Sequence, residues 1–287
     1  DYPGFNLRLE KRLKKKWFKG KLAHYICPTV WAHGKNRISL MENTLDLLLT
    51  IFPFEKSYFS KDLPVEYVGH PLVSRIEQEP KTQFSWAEEA KVLSLFPGSR
   101  KKEILLNLPY QLEAARSALE LCPHLLCALS ISRESYRSLI ERHIHEKGLK
   151  DSVILVESKD TYKLMRSSSL ALATSGTVTL ELALHGVATI VTYGIAPIDL
   201  FIAQKILRIS LPYYCIVNIL MQQEVFKELI GPTLTQKSIE RELHELLSEP
   251  YLREKKQLCA QVEKTLGTKK ASRESARLLK EMHKRFN

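Results

Sequence analysis

Residues 92–103, VLSLFPGSRKKE, are the stretch on which the fold prediction rests. The first five residues form a short apolar run that predicts a buried strand, and Pro97 with Gly98 predicts a turn. A basic segment follows, and a helical pattern begins at Glu103. A strand that runs through a small, basic turn into a helix favours a bound phosphate, because free N–H groups and the helix dipole attract anions. Arg100 adds a planar group that can donate two hydrogen bonds to phosphate oxygens. The alternative interpretation of the whole stretch is an ordinary strand-to-helix turn with solvated lysines.

The same alternation of apolar runs and helical patterns extends in both directions from this stretch. Upstream, the predicted helices are 7–18, 36–44 and 54–60, and the predicted strands are 22–27, 46–52 and 65–68. Downstream, the predicted strands are 125–130, 153–156, 170–173 and 189–193, and the predicted helices are 104–121, 134–147, 160–167, 177–185, 197–207, 223–230, 236–247, 252–266 and 272–285. The apolar stripe of the first downstream helix is predicted to be Leu105, Leu108, Leu112, Ala115 and Leu119. This alternation predicts an α/β protein with parallel sheets in two Rossmann-like, doubly wound domains.

The polar stretch 74–90 predicts the connection between the two domains. We therefore predict an N-terminal domain at residues 1–74, a C-terminal domain at 75–266, and a basic helix at 267–287 that packs back on the N-terminal domain. The first domain has three predicted strands and no glycine-rich first turn. A whole Rossmann-like domain usually has more strands, so the N-terminal domain is expected to be incomplete.

Composition narrows the functional classes. The chain has 287 residues, of which 44% are hydrophobic and 26% charged, as in soluble globular proteins. Its longest apolar runs fall well short of the roughly 20 residues of a membrane helix. Five cysteines without a CxxC pair predict reduced thiols and no zinc site. A net charge of +11 and a pI of about 9.3 predict an anionic partner, which leaves nucleic acid, a membrane surface or a phosphorylated small molecule.

A second phosphate-type turn follows the predicted strand 170–173. It reads Thr174-Ser175-Gly176-Thr177, and its hydroxyls and helix N-terminus suit a pyrophosphate. Glu181 lies one helical turn further on, where a carboxylate accepts hydrogen bonds from a ribose diol. The alternative is a capped helix with a solvated glutamate. In a doubly wound sheet, two such turns can meet at the carboxyl ends of neighbouring strands, where ligands bind.

Five segments together resemble the lipid-A-disaccharide synthase family: FPGSRKKEI, LATSGTVTLELAL, YICPTVWAHGKNRI, FPFEK and YVGHPL. They occur in collinear order over essentially the whole chain. The resemblance implies a glycosyltransferase of the GT-B type, a hexosyltransferase that joins UDP-2,3-diacylglucosamine to 2,3-diacylglucosamine 1-phosphate with inversion and release of UDP. It also implies a cytoplasmic enzyme of lipid A biosynthesis, peripheral on the inner membrane, with no required metal or other cofactor.

The resemblance also implies site residues. Those that match UDP-contacting motifs of the family are Ser99, Arg100, Glu103, Ser175, Gly176, Thr177, Glu181 and Asn218. Arg100 would in addition stabilise the leaving diphosphate, and helix capping is the alternative role of Glu103.

Several positions depart from the family pattern or lack their usual context, and Ala188 stands where the family usually has Pro. Asp1 matches the Asp that would serve as general base for the acceptor hydroxyl, but no strand precedes it here. Asn218 follows Cys215-Ile216-Val217 where the family has Ser-Leu-Pro, and His33 replaces an aromatic residue.

Two further alternatives stay open at this stage. Trp17 and Phe18 lie among seven basic residues and predict a patch for an anionic membrane surface, with a solvated basic helix as the alternative. The chain could also be another GT-B enzyme that uses a UDP-sugar, such as an epimerase, or a non-catalytic UDP-sugar or anion binder. Nucleic acid is not a predicted partner, because no RRM, KH or helix-turn-helix signature is present. The pattern predicts no oligomeric state.

Overall fold

The computed structural model of the chain describes residues 2–31, 34, 36–196 and 211–284. The chain divides into two compact units, Asp1–Gln78 with Lys264–Asn287, and Glu79–Glu263. Both contain a parallel β-sheet with helices. The predicted α/β class is therefore confirmed. The residues Asp1 and His33 and the predicted helix 197–207 lie outside the described part of the chain.

The secondary structure follows the predicted alternation closely. The described strands are β1 (Ala23–Tyr25), β2 (Leu47–Thr50), β3 (Val65–Tyr67), β4 (Lys91–Phe96), β5 (Leu125–Ile131), β6 (Val153–Glu157), β7 (Leu170–Thr174), β8 (Ala188–Tyr193) and β9 (Lys227–Ile230). The described α-helices are α1 (Pro3–Lys15), α2 (Asn36–Thr44), α3 (Pro71–Gln78), α4 (Lys101–Leu121), α5 (Arg137–Glu146), α6 (Thr161–Ser167), α7 (Thr177–Leu184), α8 (Ile216–Met221), α9 (Gln236–Leu246), α10 (Glu249–Leu266) and α11 (Ala271–Lys284), and the predicted helix 54–60 is a 3-10 helix at Pro53–Tyr58.

The first unit is built on a three-stranded parallel sheet in the order β1-β2-β3. Successive side chains of β2 point to opposite faces, so its apolar run supplies two cores. Leu47 and Leu49 pack with Ala271 of α11 on one face. Leu48 packs with Leu7 of α1 and Met41 of α2 on the other face. The basic C-terminal helix therefore covers one face of this sheet.

The second unit has six parallel strands in the order β6-β5-β4-β7-β8-β9. The chain runs outward from β4 through β5 to β6 and then returns to β7 on the opposite side of β4. The strand order thus reverses between β4 and β7. In a doubly wound sheet, the carboxyl ends of the strands at this switch point form a crevice.

Alternation along β4 also explains the layers of the second unit. Leu93 and Leu95 face a core shared with α4, α5 and α9, whereas Val92 and Phe96 face a core shared with α6 and α7. The sheet is therefore covered by helices on both faces, as the doubly wound prediction requires.

The predicted stripe of α4 is correct at its centre and wrong at one end. Leu108, Leu112 and Ala115 are fully buried, but Leu105 is 43% exposed, and Ile104 is buried instead. Ile104 lies four residues before Leu108, on the same helical face. Leu105 is the next residue, so its side chain is rotated by about 100° around the helix axis from that of Ile104.

Two other predictions are wrong. Residues 223–230 were predicted as a helix, yet Lys227–Ile230 forms the edge strand β9 beside β8. A four-residue strand is too short to show alternation, and tertiary pairing overrides its propensity. The polar stretch 74–90 was predicted as a connection, yet its start belongs to α3, which begins at Pro71. Proline suits the first helical position, where its missing N–H has no intrahelical role.

Candidate functional site

A cavity of about 400 Å³ lies in the second unit, at the carboxyl ends of β4, β5 and β7. Its wall contains both turns that the sequence analysis selected, because β4 and β7 are neighbours in the sheet. The described wall residues are Phe96, Pro97, Gly98, Ser99, Arg100, Glu103, Ser130, Ser132, Ser158, Thr161, Thr174, Ser175, Gly176, Thr177, Val178 and Glu181. The cavity therefore lies at the switch point, where ligands of this architecture bind.

The first turn is closed by a capping interaction at the start of α4. The backbone N–H groups of Ser99 and Arg100 donate to Oε2 of Glu103, at 2.9 and 3.2 Å. Gly98 permits this arrangement: its φ is +120°, and an added Cβ would lie 2.6 Å from the Cβ of Glu103. Glu103 therefore caps the start of α4, which is one of the two roles that the sequence allowed. Its carboxylate thus occupies the backbone N–H groups of this turn.

Arg100 projects from the same turn. Its guanidinium donates to Oε1 of Glu103 at 2.8 Å, and its side chain is 80% exposed. A guanidinium carries five N–H donors in a planar fork, so an anion can bind it while this ion pair persists. Arg100 is therefore positioned to recognise a phosphate group that enters the cavity.

The second turn connects β7 to α7. The Ser175 N–H donates to the carbonyl oxygen of Thr192 at 3.2 Å, which holds the turn against β8. Gly176 and Thr177 are exposed, and a Cβ added at Gly176 would meet open space. The first N–H groups of a helix have no acceptor within the helix. The start of α7 therefore offers backbone donors and hydroxyls to an anion.

Glu181 lies one turn inside α7 and also lines the cavity. Its Oε1 accepts a hydrogen bond from the Tyr162 hydroxyl at 2.7 Å. An ionised carboxylate only accepts hydrogen bonds, so it is suited to a ligand that presents hydroxyl groups. The wall thus combines both strand-to-helix turns with the Glu181 carboxylate.

Asn218 has a different place. It is fully buried on α8, its amide exchanges hydrogen bonds with the backbone of Phe226 at 2.7 and 2.9 Å, and it donates to Glu228 at 2.8 Å. It is absent from the described cavity wall. These contacts use its amide to tie α8 to the segment before β9, so its position supports a structural role and not the predicted UDP contact.

Several wall residues were missed by the sequence analysis. Ser130 and Ser132 lie at the end of β5, and Ser158 follows β6. The hydroxyls of Thr174 and Ser132 are buried without a hydrogen-bond partner among the described residues. A signal was available, since each of these residues lies at the carboxyl end of a predicted strand. Isolated Ser and Thr residues are too common for that signal to select them.

The described residues contain neither a metal-binding cluster nor a helix suited to span a membrane. No group of three or more His, Cys, Asp or Glu side chains in the described ranges is arranged to hold a metal ion. Over the same residues, no helix combines the length and the apolar character that crossing a membrane requires.

Each of the two α/β units has a parallel sheet, and one of them has a crevice at its switch point that contains the two phosphate-type turns. These features define a protein of the Rossmann-like GT-B class. Solved structures agree with this architecture. A UDP-GlcNAc 2-epimerase from Neisseria meningitidis, solved with UDP-GlcNAc bound, matches with a TM-score of 0.60 over 96% of this chain and 73% of that one, at 15% identity. So low an identity establishes the fold alone.

The chain belongs to the lipid-A-disaccharide synthetase family, whose model matches residues 1–282. Lipid-A-disaccharide synthase from Chlamydia pneumoniae is 39% identical over 80% of this chain and 39% of the relative. The synthase from Persephonella marina is 35% identical over 98% of this chain and 76% of the relative. The chain thus spans about two fifths of the chlamydial relative. The family predicted from the sequence motifs is confirmed.

Proposed function

We propose that the cavity binds the UDP part of a UDP-sugar, and that this protein is an inverting glycosyltransferase of lipid A biosynthesis. It would join UDP-2,3-diacylglucosamine to 2,3-diacylglucosamine 1-phosphate and release UDP. Family membership supports this reaction. The observation that carries the proposal is that both phosphate-type turns and Glu181 line one cavity.

The diphosphate would lie between the two turns. Arg100 and the Ser99 turn approach it from β4, and the Ser175-Gly176-Thr177 turn approaches it from β7. Because the Glu103 carboxylate is bound to the Ser99 and Arg100 N–H groups, the incoming anion either displaces it or binds the outer donors of the guanidinium. The Glu181 carboxylate would then accept hydrogen bonds from the ribose hydroxyls.

The chemistry would follow from this placement. Negative charge builds up on the diphosphate as the glycosidic bond to the donor sugar breaks, and the Arg100 guanidinium stabilises that charge. The attacking hydroxyl of the acceptor must lose its proton to a base. The family resemblance assigns that role to Asp1, which enters the proposal on the sequence alone. The family resemblance implies that no metal ion is required.

Turnover with matched acceptors tests the proposed function. The purified protein, UDP-2,3-diacylglucosamine and 2,3-diacylglucosamine 1-phosphate should yield UDP and a disaccharide phosphate in equal amounts. An acceptor without acyl chains should give neither product. UDP release that needs only the non-acylated acceptor would assign the protein to another class of UDP-sugar transferase. Failure to bind UDP in calorimetry would overturn the site itself.

We also propose that the protein acts as a peripheral protein on the cytoplasmic face of the inner membrane. Trp17 is 89% exposed and Phe18 is 49% exposed, directly after α1. The surrounding basic side chains are all exposed: Lys11, Arg12, Lys14, Lys15, Lys16, Lys19 and Lys21. Aromatic rings beside basic residues suit the boundary of an anionic bilayer, and the acylated substrates reside there.

Vesicle binding tests this surface. Cosedimentation with vesicles that contain phosphatidylglycerol should exceed that with phosphatidylcholine, and added salt should weaken it, because the Debye length shortens. Trp17→Ala should reduce binding severalfold, since an interfacial ring is lost. Leu121→Ala removes a 59% exposed apolar side chain from α4 and serves as the matched control. Equal binding by both variants and the wild type would contradict the proposal.

A further inference from the structure

The carboxylate of Glu181 is held by a residue from a different helix. Tyr162, the second residue of α6, donates its hydroxyl to Oε1 of Glu181 at 2.7 Å. The two residues are 19 positions apart in the chain and are brought together because α6 and α7 cover the same face of the sheet. Tyr162 itself is absent from the described cavity wall. Its hydroxyl therefore acts on the cavity through Glu181.

The tyrosine ring is itself fixed against α7. It packs on the imidazole of His185, with ring centroids 5.4 Å apart. Nδ1 of His185 in turn donates to the carbonyl oxygen of Glu181 at 2.7 Å, so His185 is tied to the same helical turn. Both Tyr162 and His185 are partly buried. The phenol is thus a rigid donor whose direction is set by packing, and a glutamate side chain with three rotatable bonds gains one preferred orientation from it.

We propose that Tyr162 is a positioning residue, which orients the Glu181 carboxylate for the ribose hydroxyls of the nucleotide. The inference rests on the proposed function, because it requires Glu181 to meet the ribose. A preorganised acceptor binds more tightly, since less side-chain freedom is lost when the ligand arrives. The residue is not assigned a catalytic role, because Tyr162 lies outside the described cavity wall and acts through Glu181.

A purely structural role is the competing explanation, because the same ring also packs α6 against α7. The two roles differ in how they depend on the ligand. A structural defect would lower the affinity for every nucleotide that uses the cavity. A positioning defect would lower the affinity only for a nucleotide that carries the ribose hydroxyls.

Calorimetric titration with UDP and with 2′,3′-dideoxy-UDP separates these roles. Tyr162→Phe keeps the ring and removes the donor, so its affinity for UDP should fall about tenfold, as for a hydrogen bond to a charged group. Its affinity for 2′,3′-dideoxy-UDP should equal that of the wild type. Tyr136→Phe removes a phenol hydroxyl in the same unit, from a residue that packs against the other core, and should bind both nucleotides normally. The thermal midpoint of each variant shows that the fold is retained.

Glu181→Ala distinguishes failure of this inference from failure of the proposed function. It should lose the preference for UDP over the dideoxy nucleotide. If Glu181→Ala keeps that preference, the ribose assignment of Glu181 fails and the inference fails with it. If Glu181→Ala loses the preference but Tyr162→Phe keeps it, the proposed function stands and the inference is overturned. If Tyr162→Phe lowers the affinity for both nucleotides equally, the role of Tyr162 is structural and the inference is also overturned.

Discussion

Replacement of Arg100 by alanine should reduce turnover about 10²-fold while the fold is retained, because a preorganised donor to the leaving group is lost. The Arg100 side chain is 80% exposed, and in the free protein it forms an ion pair with Glu103. An exposed ion pair contributes about 1 kcal/mol or less to stability. The thermal midpoint should therefore stay close to that of the wild type. Affinity for UDP and the turnover number are the two quantities to measure.

Lys101→Ala is the matched control for this experiment. Lys101 is the next residue, it begins α4, and its side chain is exposed but outside the described cavity wall. Both variants lose one positive charge, so a general electrostatic effect would weaken UDP binding in both equally. A specific role requires a loss in Arg100→Ala alone. Wild-type turnover in Arg100→Ala would remove this residue from the mechanism.

Glu55→Gln should change how the stability of the first unit depends on pH. Glu55 is fully buried, and its Oε2 accepts hydrogen bonds from the N–H groups of Ile51 and Phe52, at 3.1 and 3.0 Å. Burial raises its pKa from 4.5 to about 7. Between these values the folded state retains a proton that the unfolded state releases. The stabilisation from protonated Glu55 is thus complete below pH 4.5 and lost as the pH rises through about 7.

His70, in the same unit, has the opposite effect on how stability depends on pH. It is 6% exposed, and its Nδ1 accepts from the Leu72 N–H at 3.2 Å. Burial lowers its pKa from 6.5 to about 4, so the stabilisation from neutral His70 is present above pH 6.5 and lost as the pH falls through about 4. The two groups therefore oppose each other in the wild type.

The variant removes one of these opposed contributions. A glutamine oxygen can accept the same two N–H groups but cannot titrate. From pH 4.5 to pH 7, the free energy of unfolding of Glu55→Gln should rise relative to the wild type by about 3 kcal/mol. Urea unfolding followed by tryptophan fluorescence measures it, since Trp31 contacts Phe52 beside Glu55. Glu66→Gln, at a half-buried carboxylate on β3, is the control. A difference between Glu55→Gln and the wild type that is equal at pH 5 and pH 8 would contradict the prediction.

The predicted part of the fold depends on local patterns. The apolar run of β4 and the glycine after it predict a buried strand and a turn wherever they occur. The same holds for the turn at Ser175-Gly176-Thr177. These turn patterns and the family resemblance together predicted eight UDP-binding residues, of which seven lie in the described cavity wall. Local patterns failed for β9, whose four residues form a strand because β8 is beside them.

The roles of the other site residues depend on which of several possible hydrogen-bond partners each side chain takes. Glu103 is compatible with both a capping role and a ligand contact, and the approach of Gly98 to its side chain accompanies the capping geometry. Asn218 matches a ligand position in the motif, yet its amide turns inward to Phe226 and Glu228. Both alternatives were open because packing decides which hydrogen-bond partner lies nearest to a side chain.

By itself, the sequence determined the alternation of strands and helices, the two phosphate-type turns and the family. The alternation and the turns are local, since each depends on residues within a few positions of one another, whereas the family prediction depends on five segments in collinear order along the chain. Only the tertiary structure decided that β4 and β7 are neighbours, that their turns share one cavity, and that Tyr162 holds Glu181. Such contacts join residues far apart in the chain. Their free energy comes from burial and hydrogen bonds that exist only after the sheet has formed.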